Sequence, residues 1–214
     1  MIYDISPPIT ELLSVWPGDT PPRREVLMDI ACGDSVTLST LHATVHLGAH
    51  ADAPSHYGPG AADISSRSLE LYLGRCQLIR VVIPKGGLIR PEHLKAEILE
   101  PRVLIHTGTF PDPSVFSEDF AALSPDLIED LHSRGVRLIG IDTPSVDPFS
   151  STTLDAHRAF LRHDMAILEG LVLGDVPDGT YELVALPLKL VGFDASPVRA
   201  ILLGLEPETE RPRP

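Results

Sequence analysis

Residues 46–56 read HLGAHADAPSH and place three histidines and one aspartate within eleven positions. Imidazole nitrogens and carboxylate oxygens are the ligands of divalent metals, above all zinc, so this density indicates a metal site. Leu47 stands where a zinc protease carries its glutamate base, and Gly48 disfavours the helix that such a motif requires. In an extended chain residues 46, 50 and 52 share one face, and a turn at Gly48 would let them converge.

Composition excludes several classes of partner. The chain has 214 residues with 17 basic and 30 acidic side chains, a net charge of −13. This charge disfavours nucleic acid and anionic membrane surfaces, both of which attract basic proteins. No apolar run is long enough to span a membrane, and the first residues lack the basic and apolar regions of a signal peptide. We therefore expect a cytoplasmic protein.

Hydrophobic patterning predicts a mixed α/β fold with strands dominating the core. A helix is expected from Ser124 to Ser133, where Ser-Pro-Asp provides a capping serine and a proline at the first helical position. Further helices are expected from about Leu154 to Asp164 and, in a short form, after Pro91. Residues 1–205 are predicted to form one domain, and 206–214 a polar, proline-rich tail. Strands are predicted at 36–46, 76–83, 103–107, 137–142, 181–188 and 200–203.

The metal-site stretch resembles the HxGxHxDxPxH signature of the cyclase-like metal hydrolase family. Similarity to the bacterial kynurenine formamidase (arylformamidase) branch of that family covers nearly the whole chain apart from the C-terminal tail. The resemblance implies a swivelling β/β/α-type fold and a homodimer with loops near the site contributed across the interface. The similar segments are DISPP at 4–8, WPGDTP at 16–21, TPSVD at 143–147, LDAH at 154–157 and DASPVRA at 194–200.

The resemblance also implies two divalent metal ions, normally zinc with manganese as the alternative. Glu169 is independently conspicuous, because a charge within the apolar sequence AILEG is costly unless it is paired or bound to metal. Five protein ligands exceed the three of an ordinary catalytic zinc site, which favours two ions. The implied ligands are His46, His50, Asp52 as the bridging carboxylate, His157 and Glu169.

Two further residues receive roles from the resemblance. His56 would be the catalytic acid/base, and the ordinary pKa of histidine suits proton transfer near neutrality. Trp16, the only tryptophan, would contact an aromatic ring of the substrate, with burial in the core as the alternative. His42 and His163 are expected to be structural, whereas His93, His106 and His132 have no partners nearby in sequence.

The implied reaction is hydrolysis of N-formyl-L-kynurenine to L-kynurenine and formate in tryptophan degradation. The first alternative is a related amidohydrolase with the same ligands that acts on a cyclic amide such as isatin, or on another amide or ester. The WPGDTP segment and Trp16 argue against it. The second is a non-catalytic metal-binding oligomer, against which His56 argues because such a protein needs no proton shuttle.

Overall fold

The computed structural model describes residues 1–205, and the predicted tail at 206–214 lies outside them. The helices are α1 (Pro125–Ser133) and α2 (Asp155–His163), and neither has the length and apolar character that a membrane crossing requires. The strands are β1 (Ile2–Asp4), β2 (Arg23–Met28), β3 (Leu38–His42), β4 (His50–Asp52), β5 (Leu73–Arg80), β6 (Leu88–Ile89), β7 (Arg102–His106), β8 (Ala122–Leu123), β9 (Leu138–Ile141), β10 (Ala166–Glu169), β11 (Gly179–Val184), β12 (Ala195–Pro197) and β13 (Ile201–Gly204).

Nine of these strands form one sheet in the order β1-β13-β11-β5-β7-β9-β10-β4-β12. The central strands β5, β7, β9 and β10 are parallel to one another, and the flanking strands pair antiparallel. The carboxyl ends of β7, β9 and β10 therefore lie side by side at one edge of the sheet. Ligand sites form in such places because the loops that follow parallel strands diverge there.

The central strands bury both faces of the sheet, which explains their nearly continuous apolar sequences. Leu78 and Leu104 belong to the core on one face, whereas the next residues along the chain, Ile79 and Ile105, belong to the core on the other. Helices α1 and α2 cover the second face with buried side chains that include Leu127 and Phe160. The mixed α/β fold predicted from the sequence is confirmed.

Most predicted elements are present, but the strands expected at 76–83 and 181–188 are Leu73–Arg80 and Gly179–Val184, and β10 was not among the predicted strands. Ser124 caps α1 by accepting a hydrogen bond from the amide of Leu127, as its sequence indicates. The strand expected to reach His46 ends at His42, and β4 begins only at His50. Gly48, with φ of 56°, provides the turn in the intervening segment. The helix expected after Pro91 is a single 3₁₀ turn that ends at His93.

Candidate metal centre

Four elements bring the predicted ligands together. His50 and Asp52 are the first and last residues of β4, and Glu169 is the last residue of β10. In the antiparallel register of these strands Glu169 lies opposite His50. His157 comes from the first turn of α2, and His46 from the segment before β4. Residues far apart in sequence thus converge at the sheet edge identified above.

Asp52 lies at the centre of this arrangement. Its Oδ1 atom is 3.1 Å from His46 Nδ1, and its Oδ2 atom is 3.4 Å from His157 Nε2. On the other side His50 Nε2 is 3.3 Å from Glu169 Oε2. Two sets of residues each offer ligand atoms that lie within 4.8 Å of one another, and Asp52 belongs to both. The sets are His46–Asp52–His56 and His50–Asp52–Glu169.

The electrostatics of the cluster fit a cation. Within residues 1–205, His50 Nε2 and Asp52 Oδ1 are buried atoms without a hydrogen-bond partner, which is costly unless another group satisfies them. Burial opposes ionisation of Asp52, yet a hydrogen bond with His157 and the imidazole of His46 beside it hold its pKa well below the ordinary value. Two buried carboxylates, Asp52 and Glu169, therefore face imidazole nitrogens in a small volume. This donor set suits a divalent metal.

Each of the three predicted histidine ligands has its second nitrogen held by an oxygen. His50 Nδ1 is 2.8 Å from the carbonyl of Gly48, and His157 Nδ1 is 2.6 Å from Asp147. His46 Nε2 is 3.1 Å from Asp194. Such partners orient the ring of a metal ligand and determine which nitrogen is free to bind.

Asp147 also organises the backbone of α2. Its carboxylate accepts hydrogen bonds at 3.0 Å from the amides of Ala156 and His157, which caps the start of the helix. Asp147 and Asp194 lie within the similar segments at 143–147 and 194–200, but neither was predicted to have a role. Their contacts cross 10 and 148 positions of sequence, so spacing alone carries no signal for them.

The backbone beneath the cluster requires glycine. Gly170, directly after Glu169, has φ of 65°, and a Cβ atom there would lie 2.2 Å from the carbonyl oxygen of Gly48. Both features exclude a side chain. This close approach places the loop that carries His46 and His50 against the end of β10.

His56 lies beside the cluster and is more accessible than the predicted ligands. It ends a 3₁₀ turn, Pro54–His56, that begins immediately after β4. Its ring centroid is 4.3 Å from that of His46, and its Nδ1 atom is 3.4 Å from Asp194. About a third of its side chain is exposed, against 5% or less for His50 and His157. Such a position suits a group that exchanges protons with a ligand.

A cavity of about 580 Å³ opens over the cluster and is lined by His46, His50, His56, His157 and Glu169. Its volume lies within the usual range of small-molecule sites.

Trp16 lines the same cavity and remains 36% exposed, so it is not the core residue that was the alternative. It contacts Phe149, with ring centroids 4.9 Å apart, and Phe116 at 5.6 Å. The cavity therefore has a metal-binding end and an aromatic wall.

Two additional polar residues line the cavity at the ends of parallel strands. His106 is the last residue of β7, and Asp142 follows β9 directly. Asp142 accepts hydrogen bonds from the amides of Thr107 and Gly108, and its Oδ2 atom is 3.6 Å from His106 Nε2. His106 has no partner nearby in sequence. The signal for this pair is a polar residue at the carboxyl end of each of two apolar strands.

The other histidines that were not assigned to the site lie elsewhere, and His132 stacks on His163 with ring centroids 4.0 Å apart. His42 contacts Glu25 on the neighbouring strand at 2.6 Å, and His163 contacts Glu129 on α1. His93 accepts a hydrogen bond from the amide of Arg90.

The fold and the site define a hydrolase of the metal-dependent class, and comparison with known proteins agrees. Residues 3–148 match the Cyclase family, described as putative cyclase, and the chain belongs to that family. Kynurenine formamidase of Bordetella pertussis is 51% identical over 203 residues, which cover 94% of this chain and 97% of that protein. Kynurenine formamidase of Bordetella petrii is 49% identical with the same coverage. Within the family, the chain thus groups with the kynurenine formamidases.

Solved structures confirm the fold. A potential metal-dependent hydrolase with cyclase activity superposes with a TM-score of 0.84 at 30% identity, over 97% of this chain and 99% of that chain. A predicted metal-dependent hydrolase from Bacillus stearothermophilus gives 0.78 at 30% identity, over 94% of this chain and 97% of that chain. An isatin hydrolase bound to thioisatinate gives 0.79 at 20% identity, over 96% and 92%, which supports the fold alone.

Proposed function

We propose that this protein hydrolyses N-formyl-L-kynurenine to L-kynurenine and formate, a step of tryptophan degradation. Metal-dependent hydrolysis is supported by one observation above all: Asp52 belongs to two overlapping sets of side chains that could hold metal ions. The choice of substrate is supported by the kynurenine formamidases that share about half of the residues of this chain.

The proposed metal centre would hold two divalent ions, most simply zinc, and Asp52 would be the carboxylate common to both ligand sets. His46, His50, His157 and Glu169 complete the set. When bound, the metals lower the pKa of water from about 15.7 towards 7 and polarise a carbonyl oxygen. The carbonyl of Gly48 and the carboxylates of Asp147 and Asp194 orient the three histidines for this task.

His56 is proposed to move the proton. It takes a proton from the attacking water as the new C–O bond forms at the formyl carbon. It then gives that proton to the aniline nitrogen as the C–N bond breaks, because an unprotonated arylamide nitrogen is a poor leaving group. Its position between the buried cluster and the open cavity suits both transfers.

Trp16 is proposed to contact the aromatic ring of the substrate. Trp16, Phe116 and Phe149 form an apolar wall in the cavity that also contains the metal-binding residues. Aromatic side chains bind rings through offset or edge contacts. Such a wall would hold the aryl group while the formyl group, which carries only hydrogen on its carbonyl carbon, reaches the metals.

We also propose a cytoplasmic homodimer. The ribbon of β2 and β3 forms a separate two-stranded sheet and exposes Val26, Leu38 and Leu41, each by about half or more. Exposed apolar side chains in one region are typical of interaction surfaces. Light scattering with the wild type and Leu41→Glu tests the assembly, since a monomer in the wild type contradicts it.

The experiment for the function is absorbance-monitored hydrolysis of N-formyl-L-kynurenine. The protein is assayed as purified, after chelation, and after zinc is restored, with isatin as the comparison substrate. Activity that is lost and then recovered supports the proposal. Hydrolysis of isatin alone by the zinc-loaded protein would assign the related amidohydrolase activity instead.

His56→Ala separates proton transfer from metal binding. We expect this variant to keep the zinc content of the wild type and to lose turnover by roughly 10²- to 10⁴-fold, the usual contribution of an acid/base group. A loss of zinc would identify His56 as a ligand, which its place in one of the two ligand sets allows. Full activity would remove its proposed role.

A further inference from the structure

Asp194 is not one of the predicted ligands, yet its carboxylate contacts two histidines of the site. A single oxygen, Oδ2, lies 3.1 Å from His46 Nε2 and 3.4 Å from His56 Nδ1. The first histidine belongs to the proposed metal centre, and the second is the proposed proton shuttle. One side chain therefore links the two parts of the site.

The backbone holds Asp194 firmly in this place. The residue stands immediately before β12, which pairs with β4 so that Ala195 lies opposite Asp52. The carbonyl of Asp194 accepts a hydrogen bond of 2.8 Å from the amide of Ala53. On the other side the amide of Gly192 donates to Asp63 at 2.6 Å. These contacts attach the carboxylate to the strand that carries the ligands.

An ionised carboxylate only accepts hydrogen bonds, so each imidazole nitrogen that faces it must carry the proton. His46 Nε2 therefore carries a proton, and in the metal-loaded protein its Nδ1 atom, which lies 3.1 Å from the proposed ligand Asp52, is the nitrogen that gives up its proton to bind. His50 and His157 show the opposite pattern, because oxygens of Gly48 and Asp147 hold their Nδ1 atoms. The orientation of His46 thus depends on Asp194.

The same reasoning determines the state of His56. With the proton held on Nδ1 by Asp194, the lone pair is on Nε2, where it can accept a proton from water. The reversed tautomer would present an N–H to the reaction and could not act as a base.

We propose that Asp194 is a positioning residue that sets the tautomers of His46 and His56 together. In this arrangement His46 binds metal through Nδ1. His56 accepts and donates the proton of the reaction through Nε2. Both rings contact one oxygen, and their centroids lie 4.3 Å apart. The kinetic part of this inference rests on the proposed function, whereas its structural part does not.

The first test is the tautomer of each histidine in the zinc-loaded wild-type protein, measured by long-range ¹H–¹⁵N correlation after ¹⁵N labelling. His46→Gln and His56→Gln spectra assign the signals. We expect His56 with its proton on Nδ1 and His46 with its proton on Nε2. A His56 ring protonated on Nε2 alone overturns the proposal, and this measurement needs no substrate and no Asp194 variant.

The second test is Asp194→Asn, which keeps the shape and removes the obligatory acceptor. We expect His56 to shift towards the Nε2–H tautomer and zinc affinity to fall by roughly 10- to 100-fold, as for other partners of metal-bound histidines. At saturating zinc, kcat should still be at most about a tenth of the wild-type value, and KM should change by about threefold at most. Asp194→Glu, which restores a carboxylate, should recover part of kcat.

Two controls distinguish the carboxylate from its surroundings. Asp63→Asn loosens the loop through its bond to Gly192, and Asp126→Asn removes an exposed charge on α1. Both should keep the wild-type tautomers.

If Asp63→Asn reproduces the tautomer shift, or if Asp194→Asn keeps wild-type kcat and zinc affinity, the proposal is wrong. If the wild type does not hydrolyse N-formyl-L-kynurenine but shows the expected tautomers, the substrate is rejected and the positioning role stands.

Discussion

Glu169 and His50 face each other across the antiparallel pair β10–β4, with Glu169 Oε2 3.3 Å from His50 Nε2. The parallel part of the sheet ends at Glu169, and the strand with the histidine motif begins at His50. Glu169 is 3% exposed, and its Oε1 atom also accepts a hydrogen bond from the amide of Val146. The carboxylate is therefore held both by the backbone after β9 and by its contact with His50.

Replacing this carboxylate tests the proposed ligand set. We expect Glu169→Ala to lower zinc content below that of the wild type, because one of the two ligand sets loses a member and His50 loses its neighbour. Elemental analysis after dialysis against a buffered zinc concentration measures the change. Glu118→Ala removes an exposed carboxylate as the control. Equal zinc content in the two variants would remove Glu169 from the site.

Gly170→Ala tests the backbone arrangement beneath the cluster. A Cβ atom at this position would lie 2.2 Å from the carbonyl oxygen of Gly48, and φ of 65° disfavours any side chain. We expect a loss of at least about 1–3 kcal/mol in the free energy of unfolding, together with weaker zinc binding. Denaturant unfolding and zinc titration measure both effects.

Gly174→Ala is the matched control for Gly170→Ala. A Cβ atom at Gly174 would meet nothing within 4 Å, and its φ lies outside the left-handed region. Its free energy of unfolding should stay within about 1 kcal/mol of the wild type. Similar losses in the two variants would contradict the role assigned to the close approach of Gly170 and Gly48.

The fold class could be predicted because the central strands are short, apolar and separated by proline and glycine. Helix α1 was predicted correctly from its serine cap and apolar stripe. The strand around residue 36 was predicted too long, because Thr and Val favour extended chain up to His46. There, contacts with other elements outweigh local preference: His46 bonds Asp194, which is 148 positions away.

The histidine motif and Glu169 stand out in the sequence itself as candidate ligands, whereas His157 was proposed from the family resemblance alone. The groups that orient these ligands do not stand out. Asp147 and Asp194 resemble ordinary surface aspartates, and only the fold brings their carboxylates to His157 and His46. The partner of His50 is the backbone carbonyl of Gly48, which no side chain in the sequence could indicate. The sequence therefore predicts the candidate ligands, and the structure adds the hydrogen bonds that orient them.

Trp16 provides a test of substrate binding. We expect Trp16→Ala to raise KM by roughly 2- to 10-fold, the equivalent of about 0.5–1.5 kcal/mol for an aromatic contact, with kcat nearly unchanged. Trp16→Phe keeps a ring beside Phe149 and should retain most of the affinity. Steady-state kinetics of formyl hydrolysis measures both variants. Unchanged KM in Trp16→Ala would show that the substrate ring does not contact this side chain.

The stability of the metal-free protein should fall as pH rises. Burial opposes protonation of His46, but the neighbouring carboxylates of Asp52 and Asp194 outweigh it and raise the pKa to about 9. A pKa raised above the ordinary 6.5 contributes stability that is complete below about pH 6.5 and is lost as pH rises through about 9. Bound metal replaces the proton and binds neutral imidazole, so the metal-loaded protein should not show this loss. We expect the difference in Tm between the metal-loaded and metal-free proteins to widen from pH 6.5 to 9, measured by calorimetry. A constant difference over this range would mean that His46 carries no proton in the metal-free site.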